Sequence, residues 1–304
     1  MSGSPRVTAI IVNWRDPDGT LRVVDSLASL VPDGLRFVVV DNGSSDGSAA
    51  AIAAYIGDRG MEGCVTLLLS ASNTGFCGGV NRAVEVALAA EPPATHLWLL
   101  NPDSFPTPGA LHEMLRVAEE SGYAVVAARV DGFTGEEHWP LAYFAPARFW
   151  KTRPQHGARW WPTRRHHGAC ALFEADLVRR LQQDGGLMDE RLFMYWDEWD
   201  TALRVARAGG KFALAARAEV PHRVPGRNAI PGLREARAYY VGRNGVLIAR
   251  TWLPWWQTAA MFPLHLARDI GWFCVLHRMP LRAYLRGVVD GLRGKSGIWE
   301  RHPK

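Results

Sequence analysis

Short apolar runs alternate with stretches of helical spacing along the first 130 residues. Val7–Asn13 is β-branched and apolar up to its last position and predicts a buried strand. Gly19–Leu30 carries Leu21, Val24, Leu27 and Ala28 at helical spacing. Phe37–Val40 predicts a second strand, Ser48–Ile56 a helix, Val65–Leu69 a third strand and Gly79–Ala90 a helix. His96–Leu100 reads as a fourth strand, Pro108–Glu120 as a helix and Ala124–Arg129 as a fifth strand. This alternation predicts an α/β fold: a Rossmann-like, mostly parallel sheet flanked by helices. Such sheets bind ligands at the carboxyl ends of their strands. Loops 41–47, 70–79 and 101–104 all follow strands, so they are expected on one rim.

Beyond residue 130 the pattern breaks. The stretch 131–167 is expected to be loop-rich, with many Trp, Pro, Arg and His residues. Ala169–Phe173 and Phe212–Ala216 predict strands, and Asp197–Ala208 a helix. From Leu233 onward the chain reads as helical, broken at Pro254, Pro263 and Pro280. One α/β unit over 1–225 is expected, its alternating part over about 1–130 and a more irregular part over about 131–225. A helical extension follows over 226–304.

With 304 residues, 48% hydrophobic and 21% charged, the chain can bury one substantial core. Its net charge of +5 fits a pyrophosphate ligand or an anionic membrane face, and equally a basic background. No helix concentrates Lys and Arg with interleaved aromatics, which argues against nucleic acid. Cys64, Cys77, Cys170 and Cys274 are widely spaced and form no CxxC, so a zinc cluster or disulfide framework is not expected. Reduced thiols and the absence of a signal-like start point to the cytoplasm. No run reaches the roughly 18 apolar residues that span a bilayer. The 13 tryptophans cluster at 139–161 and 252–299, where they suit either packing of the C-terminal helices, a dimer contact, or a peripheral membrane surface.

Several motifs could carry chemistry. Asp41-Asn42-Gly43-Ser44-Ser45-Asp46-Gly47 could grip a nucleotide, or be a tight turn capped by Ser45 or Asp46. Asn73-Thr74-Gly75-Phe76-Cys77-Gly78-Gly79-Val80-Asn81-Arg82 precedes a helix and could approach a diphosphate, or be glycine-rich for packing. It is neither GxGxxG nor GxxxxGK[ST]. Asn101-Pro102-Asp103 at a strand end could hold Mg²⁺ or Mn²⁺, or form a turn before the helix at Pro108. Asp197, Glu198 and Asp200 crowd one helical turn. Their repulsion should raise at least one pKa, as a general base needs; Asp200 also suits an i,i+4 pair with Arg204.

In order, these segments resemble the inverting glycosyltransferases of family 2, which have a GT-A fold, and most of all a bacterial rhamnosyltransferase-like branch. The matching pieces are Ala9–Trp14, Val39–Gly47, Asn73–Phe76, Gly79–Asn81, Leu100–Asp103, Gly168-Ala169, Trp196–Asp200 with Arg204, Gly209, His222, and Tyr239-Tyr240 with Arg243-Asn244. The resemblance implies a nucleoside-diphosphate sugar as donor and a glycan or lipid-linked acceptor. It places Asn13, Asp41, Gly43, Ser45, Asn73, Gly75, Asn81, Arg82, Asn101 and Asp103 around the donor, with Asp41 at the nucleobase. Asp103 and His222 become metal ligands and Asp197 the base, with Glu198 the neighbouring candidate. Trp196, His167, Gly168, Asp200 and Arg204 fall on the acceptor side. Asn101 stands where many relatives have Asp, and the family's Glu-Asp pair appears as Asp197-Glu198. A role in bacterial surface polysaccharide synthesis is implied, with dTDP-rhamnose as first donor. The alternatives are a sugar nucleotidyltransferase and a non-catalytic, membrane-associated scaffold.

Overall fold

Buried apolar strands and amphipathic helices assemble an eight-stranded mixed sheet in a computed structural model, which describes residues 5–131, 133, 155, 157–222 and 232–302. The first half alternates strictly. β1 (Val7–Asn13) is followed by α1 (Pro17–Ser26), β2 (Arg36–Asp41), α2 (Ser48–Asp58), β3 (Val65–Leu69), α3 (Gly75–Ala89), β4 (His96–Leu100), α4 (Pro108–Ser121) and β5 (Val125–Val130). The second half runs β6 (Trp160–Thr163), β7 (Cys170–Glu174), α5 (Ala175–Gln183), α6 (Asp197–Arg207) and β8 (Phe212–Val220). It ends in α7 (Leu233–Trp252), α8 (Trp255–Asp269), a π-helical segment (Ile270–Leu276) and α9 (Leu281–Leu292).

The sheet order is β3-β2-β1-β4-β7-β5-β8-β6. β1 is buried along its whole length because both faces are covered. Ala9 and Ile11 join one core cluster while Ile10 and Val12 join the other, the two-residue period of a strand. β7 and β6 are antiparallel insertions in an otherwise parallel sheet.

Several expectations change: α8 runs through Pro263 without the expected break, and β8 continues past Ala216 to Val220. The 131–167 stretch contains a strand, β6, which lies at the sheet edge where Pro162 is tolerated. Trp139 and Trp150 of that stretch lie outside the described residues. α5 was not foreseen. α3 starts at Gly75 rather than Gly79, because its glycines serve packing: a Cβ on Gly79 would lie 2.7 Å from Val12 Cγ1.

The C-terminal helices are fastened to the sheet unit through α7, which is buried from Tyr239 to Ala249. Leu247 and Ile248 enter the core beneath the sheet, and Tyr239, Tyr240 and Val246 enter a separate C-terminal cluster. α9 lies against α7 backbone to backbone: a Cβ on Gly291 would be 2.7 Å from the Arg243 carbonyl oxygen. All four cysteines are free. No helix among the described residues is long and apolar enough to cross a membrane.

Candidate active site

Strand pairing brings the candidate residues to one rim. Asn13 lies beside Asp41, Asp41 beside Leu69, and Ile11 beside Leu100, so β1 to β4 end together. β7 runs the other way between β4 and β5, so His167 and Gly168 enter it from this rim. β8 is parallel to β5 and ends here too, which carries His222 to the segment after β4. Ser104 and His222 form a β-bridge, and the Phe105 amide donates to the Pro221 carbonyl at 2.8 Å.

A cleft of ≈ 520 Å³ opens on this rim, lined by Arg15, Asn42, Asn73, Gly75, Asn101 and Asp103 among others. Its walls are held by asparagines. The fully buried Asn13 donates to Asp41 Oδ1 at 2.7 Å and accepts from Thr20 Oγ1 at 3.0 Å. Asp41 Oδ2 accepts from the Ser44 amide at 3.1 Å. Asp41 is therefore buried behind its loop, and the neighbouring Asn42 lines the cleft. Asn42 donates to the Gly75 carbonyl at 2.8 Å and accepts from Thr74 Oγ1 at 2.9 Å, so it joins the loops after β2 and β3. Gly43 has φ +72°, and a Cβ there would lie 2.5 Å from the Ser72 carbonyl carbon. Gly75, at φ +79°, abuts the Phe193 carbonyl.

Other donor-side candidates sit apart from the cleft. Ser45 is exposed, and the turn is closed instead by Asp46, which accepts from Ser48 Oγ at 2.6 Å. Asn81 exchanges two hydrogen bonds with Met188, at 2.9 and 3.0 Å, and donates to Glu190 at 3.0 Å. Arg82 donates to Ser70 Oγ at 2.8 Å. These two fasten α3 to its surroundings.

Asp103 and His222 meet directly. Asp103 Oδ1 is 3.0 Å from His222 Nε2. Asp131 lies behind the same ring, its Oδ2 3.6 Å from Nδ1 and its Oδ1 accepting from the His222 amide at 2.9 Å. Burial pulls the His222 pKa down, but the Asp103 and Asp131 carboxylates outweigh it and leave the pKa raised. His167 packs edge-on against the His222 ring with centroids 5.6 Å apart.

This arrangement fits a hard cation. Two cis ligands, each about 2.1 Å from an octahedral ion, stand about 3.0 Å apart. A carboxylate behind the second imidazole nitrogen is the usual support of a ligating histidine. Among the described residues no group of three or more His, Cys, Asp or Glu side chains encloses a cation, so substrate and water would complete the shell.

The base region is a strained turn gripped by a helix. Phe193, Tyr195 and Trp196 have φ of 66°, 65° and 68°, a left-handed conformation disfavoured for bulky residues. Asn244, buried on α7, donates its side-chain amide to the carbonyls of Leu192, Met194 and Tyr195 at 2.9, 2.8 and 2.9 Å. Arg243 donates to the carbonyls of Arg191 and Leu192 at 3.1 and 2.8 Å. Trp196 is turned inward, its indole N–H donating to the Val241 carbonyl at 3.0 Å, so α7 takes the ring expected beside the acceptor.

Asp197 opens α6 and is buried. Burial first, then repulsion from Glu198, raises its pKa well above the ordinary carboxylate range. Glu198 is half-buried and reaches the β7 entry: a Cβ on Gly168 would lie 2.9 Å from its Oε1. Asp200 is buried and accepts from the Trp252 indole at 2.8 Å and from Arg204. Arg204 Nη2 is also 3.7 Å from Asp189. The pair Asp200–Arg204 thus ties α6 to α7 and to the segment before it.

Sequence reading missed Asn42, Asp131 and Asn244. Asn42 and Asn244 each carried a signal: a polar residue inside a motif or an apolar helix, where burial demands partners.

Residues 8–181 match the family described as Glycosyl transferase family 2. The chain belongs to that family. The N-acetylglucosaminyl-diphospho-decaprenol L-rhamnosyltransferase of two Mycobacterium tuberculosis strains is 30% identical over 228 residues, 66% of this chain and 70% of that protein. The mannosyltransferase PcManGT from Pyrobaculum calidifontis, solved with GDP-Man and Mn2+, superposes with TM-score 0.61 at 17% identity, over 97% of this chain and 89% of that one. TarS of S. aureus superposes with TM-score 0.52 at 14% identity, over 80% of this chain and 39% of that one. The fold of this glycosyltransferase is GT-A, and the family sets aside the nucleotidyltransferase and scaffold readings.

Proposed function

We propose that this family 2 glycosyltransferase moves a sugar, rhamnose from a dTDP donor being the first candidate, onto a hydroxyl of a lipid-linked or polysaccharide glycan with inversion at the anomeric carbon. The observation that carries the reading is the meeting of Asp103 and His222 beside the asparagine-walled cleft, on the rim that also receives Glu198. The lipid-linked acceptor is supported by the name of the mycobacterial relative, and the donor class by the GDP-Man and Mn2+ bound in the archaeal neighbour.

Asp103 and His222 would hold a divalent cation, which offsets negative charge on a departing diphosphate. Arg15 and Arg22 line the same cleft and add positive charge there. Asp197 takes the acceptor proton. The freed oxygen attacks the anomeric carbon from the face opposite the nucleotide, and the carbon–oxygen bond to the diphosphate breaks with its electron pair leaving on the nucleotide. Glu198 serves by repulsion, which adds to burial in raising the Asp197 pKa and makes that carboxylate the stronger base. The reading places the protein at the cytoplasmic face of a bacterial envelope, in surface polysaccharide synthesis.

A donor screen by thermal shift tests it. UDP-, GDP- and dTDP-sugars are compared with and without Mn²⁺. One nucleotide class should raise Tm, and more so with the ion; if none of them shifts Tm in either condition, the reading fails.

A further inference from the structure

Exposed large hydrophobic side chains are not spread over this protein. Among the described residues twelve are exposed, and eleven of them lie between Trp255 and Ile298. Scattered single exposures are normal, but a concentration of this kind marks an interaction surface.

Helical spacing puts the exposed apolar positions of each helix on one face. α9 carries two apolar faces. Ala283, Tyr284, Gly287 and Val288 are buried toward the interior. Leu281, Leu285, Val289 and Leu292 recur at helical spacing on the outside. On α8, every described side chain that is exposed is apolar, from Trp255 at 82% and Trp256 at 60% to Leu264 at 65%. The π-helical segment continues the surface with Trp272, Val275 and Leu276. Phe273 and Trp299 are buried by packing within the chain, whereas these residues remain exposed.

Basic charge predominates beside this surface. Only two carboxylates, Asp269 and Asp290, occur from 251 to 299. Both are buried, at 3% and 2% exposure; Arg268 pairs with the first, and Tyr239, Arg286, Arg293 and Lys295 lie against the second. The exposed charges of the stretch are Arg278, Arg282, Arg286, Arg293 and Lys295. Arg282 and Arg286 share a pocket of ≈ 570 Å³ with Trp299 and Arg301, and Glu235 and Glu300 also line it.

We infer that α8, the π-helical segment and the outer face of α9 form an interfacial surface that lies in an anionic phospholipid leaflet. Tryptophan and leucine enter at headgroup depth, and the arginines meet lipid phosphates. No helix among the described residues is long and apolar enough to span, so the contact lies in the plane of the membrane. The inference deepens the proposed function, resting on it for the purpose of the surface: a lipid-linked acceptor is held where its lipid is. A second copy of the chain would fit the apolar residues, but the predominantly basic charge beside them suits lipid phosphate better.

Flotation of the full chain with vesicles tests this. Vesicles of phosphatidylcholine with and without phosphatidylglycerol are used at low and high salt, beside analytical ultracentrifugation. The wild type should float with the anionic vesicles and release in salt. The double variants Trp255→Ser/Trp256→Ser and Arg282→Glu/Arg286→Glu should each lose more than about tenfold in partitioning, with unchanged circular dichroism and unchanged nucleotide-sugar thermal shift. A wild type that stays at the bottom of the gradient at low salt overturns the inference. So does a dimer that the tryptophan variant dissociates while flotation is absent. Flotation involves no sugar chemistry, so a protein that floats without binding any nucleotide sugar loses only the functional reading, and one that binds donor without floating loses only the membrane surface.

Discussion

Nε2 of His222 stands 3.0 Å from Oδ1 of Asp103, and the two arrive from different halves of the chain. Asp103 follows β4, while His222 follows β8, and the parallel course of both strands is what brings them together. The tail of β5 adds Asp131 to the far side of the ring. A site built this way needs the whole sheet formed before it exists.

Removing the carboxylate at this site should remove metal-dependent donor binding. Asp103→Ala is expected to abolish transfer and to make nucleotide-sugar affinity the same with Mn²⁺ as with EDTA. Calorimetric titration in both conditions checks it. Asp131→Asn should act more mildly, because it touches only the rear nitrogen of His222; losses of about 10–100-fold in metal affinity are usual for such supports.

Asp197→Asn should act on turnover. Loss of a general base costs about 10²–10⁴-fold in kcat, with donor KM nearly unchanged. Glu198→Gln should instead remove the repulsion on Asp197 and move the acid limb of the pH–rate profile to lower pH. Steady-state rates across pH separate the two. An inactive Glu198→Gln beside an active Asp197→Asn would move the base by one residue.

The same substitution has a stability signature. The Asp197 pKa is raised in the fold, so the folded protein keeps a proton that the unfolded chain gives up. Wild-type stability is full below the ordinary carboxylate value of about 3.9 and falls as pH rises toward the raised one. Asparagine suffers no such loss. Thermal melts should therefore show Asp197→Asn gaining on the wild type as pH rises from about 4 to about 7. A gap that narrows with rising pH would contradict the burial of that carboxylate.

Asn244 is expected to matter without touching substrate. Asn244→Ala leaves carbonyls of Leu192, Met194 and Tyr195 without this donor. Each buried group left unpaired costs about 1–3 kcal/mol. Urea unfolding should show the loss, and kcat should fall more than donor affinity because the turn leads into Asp197.

Much of the sheet was legible because its strands are short continuous apolar runs between turn residues. β1, β3 and β4 have the bounds that their apolar runs predict. The i,i+4 pair Asp200–Arg204 was also readable, since local spacing alone determines it. β6 was not readable: a four-residue edge strand containing proline has no periodicity to detect. Asp131 was invisible for another reason. Its role depends on a parallel register between β5 and β8, which has no local sequence signal. The resemblance puts Trp196 on the acceptor side, and in the structure its indole donates to the Val241 carbonyl of α7.

Sugar transfer by the purified full chain is the most direct measurement. A lipid-diphosphate-linked N-acetylglucosamine acceptor is incubated with Mn²⁺ and each of the UDP-, GDP- and dTDP-sugars, and products are read by mass spectrometry and by NMR of the new anomeric centre. The expected result is addition of a single sugar from one nucleotide class, with inverted configuration, lost in Asp103→Ala and Asp197→Asn. Transfer that persists undiminished in both variants, or a product with retained configuration, would contradict the site and mechanism proposed for this enzyme.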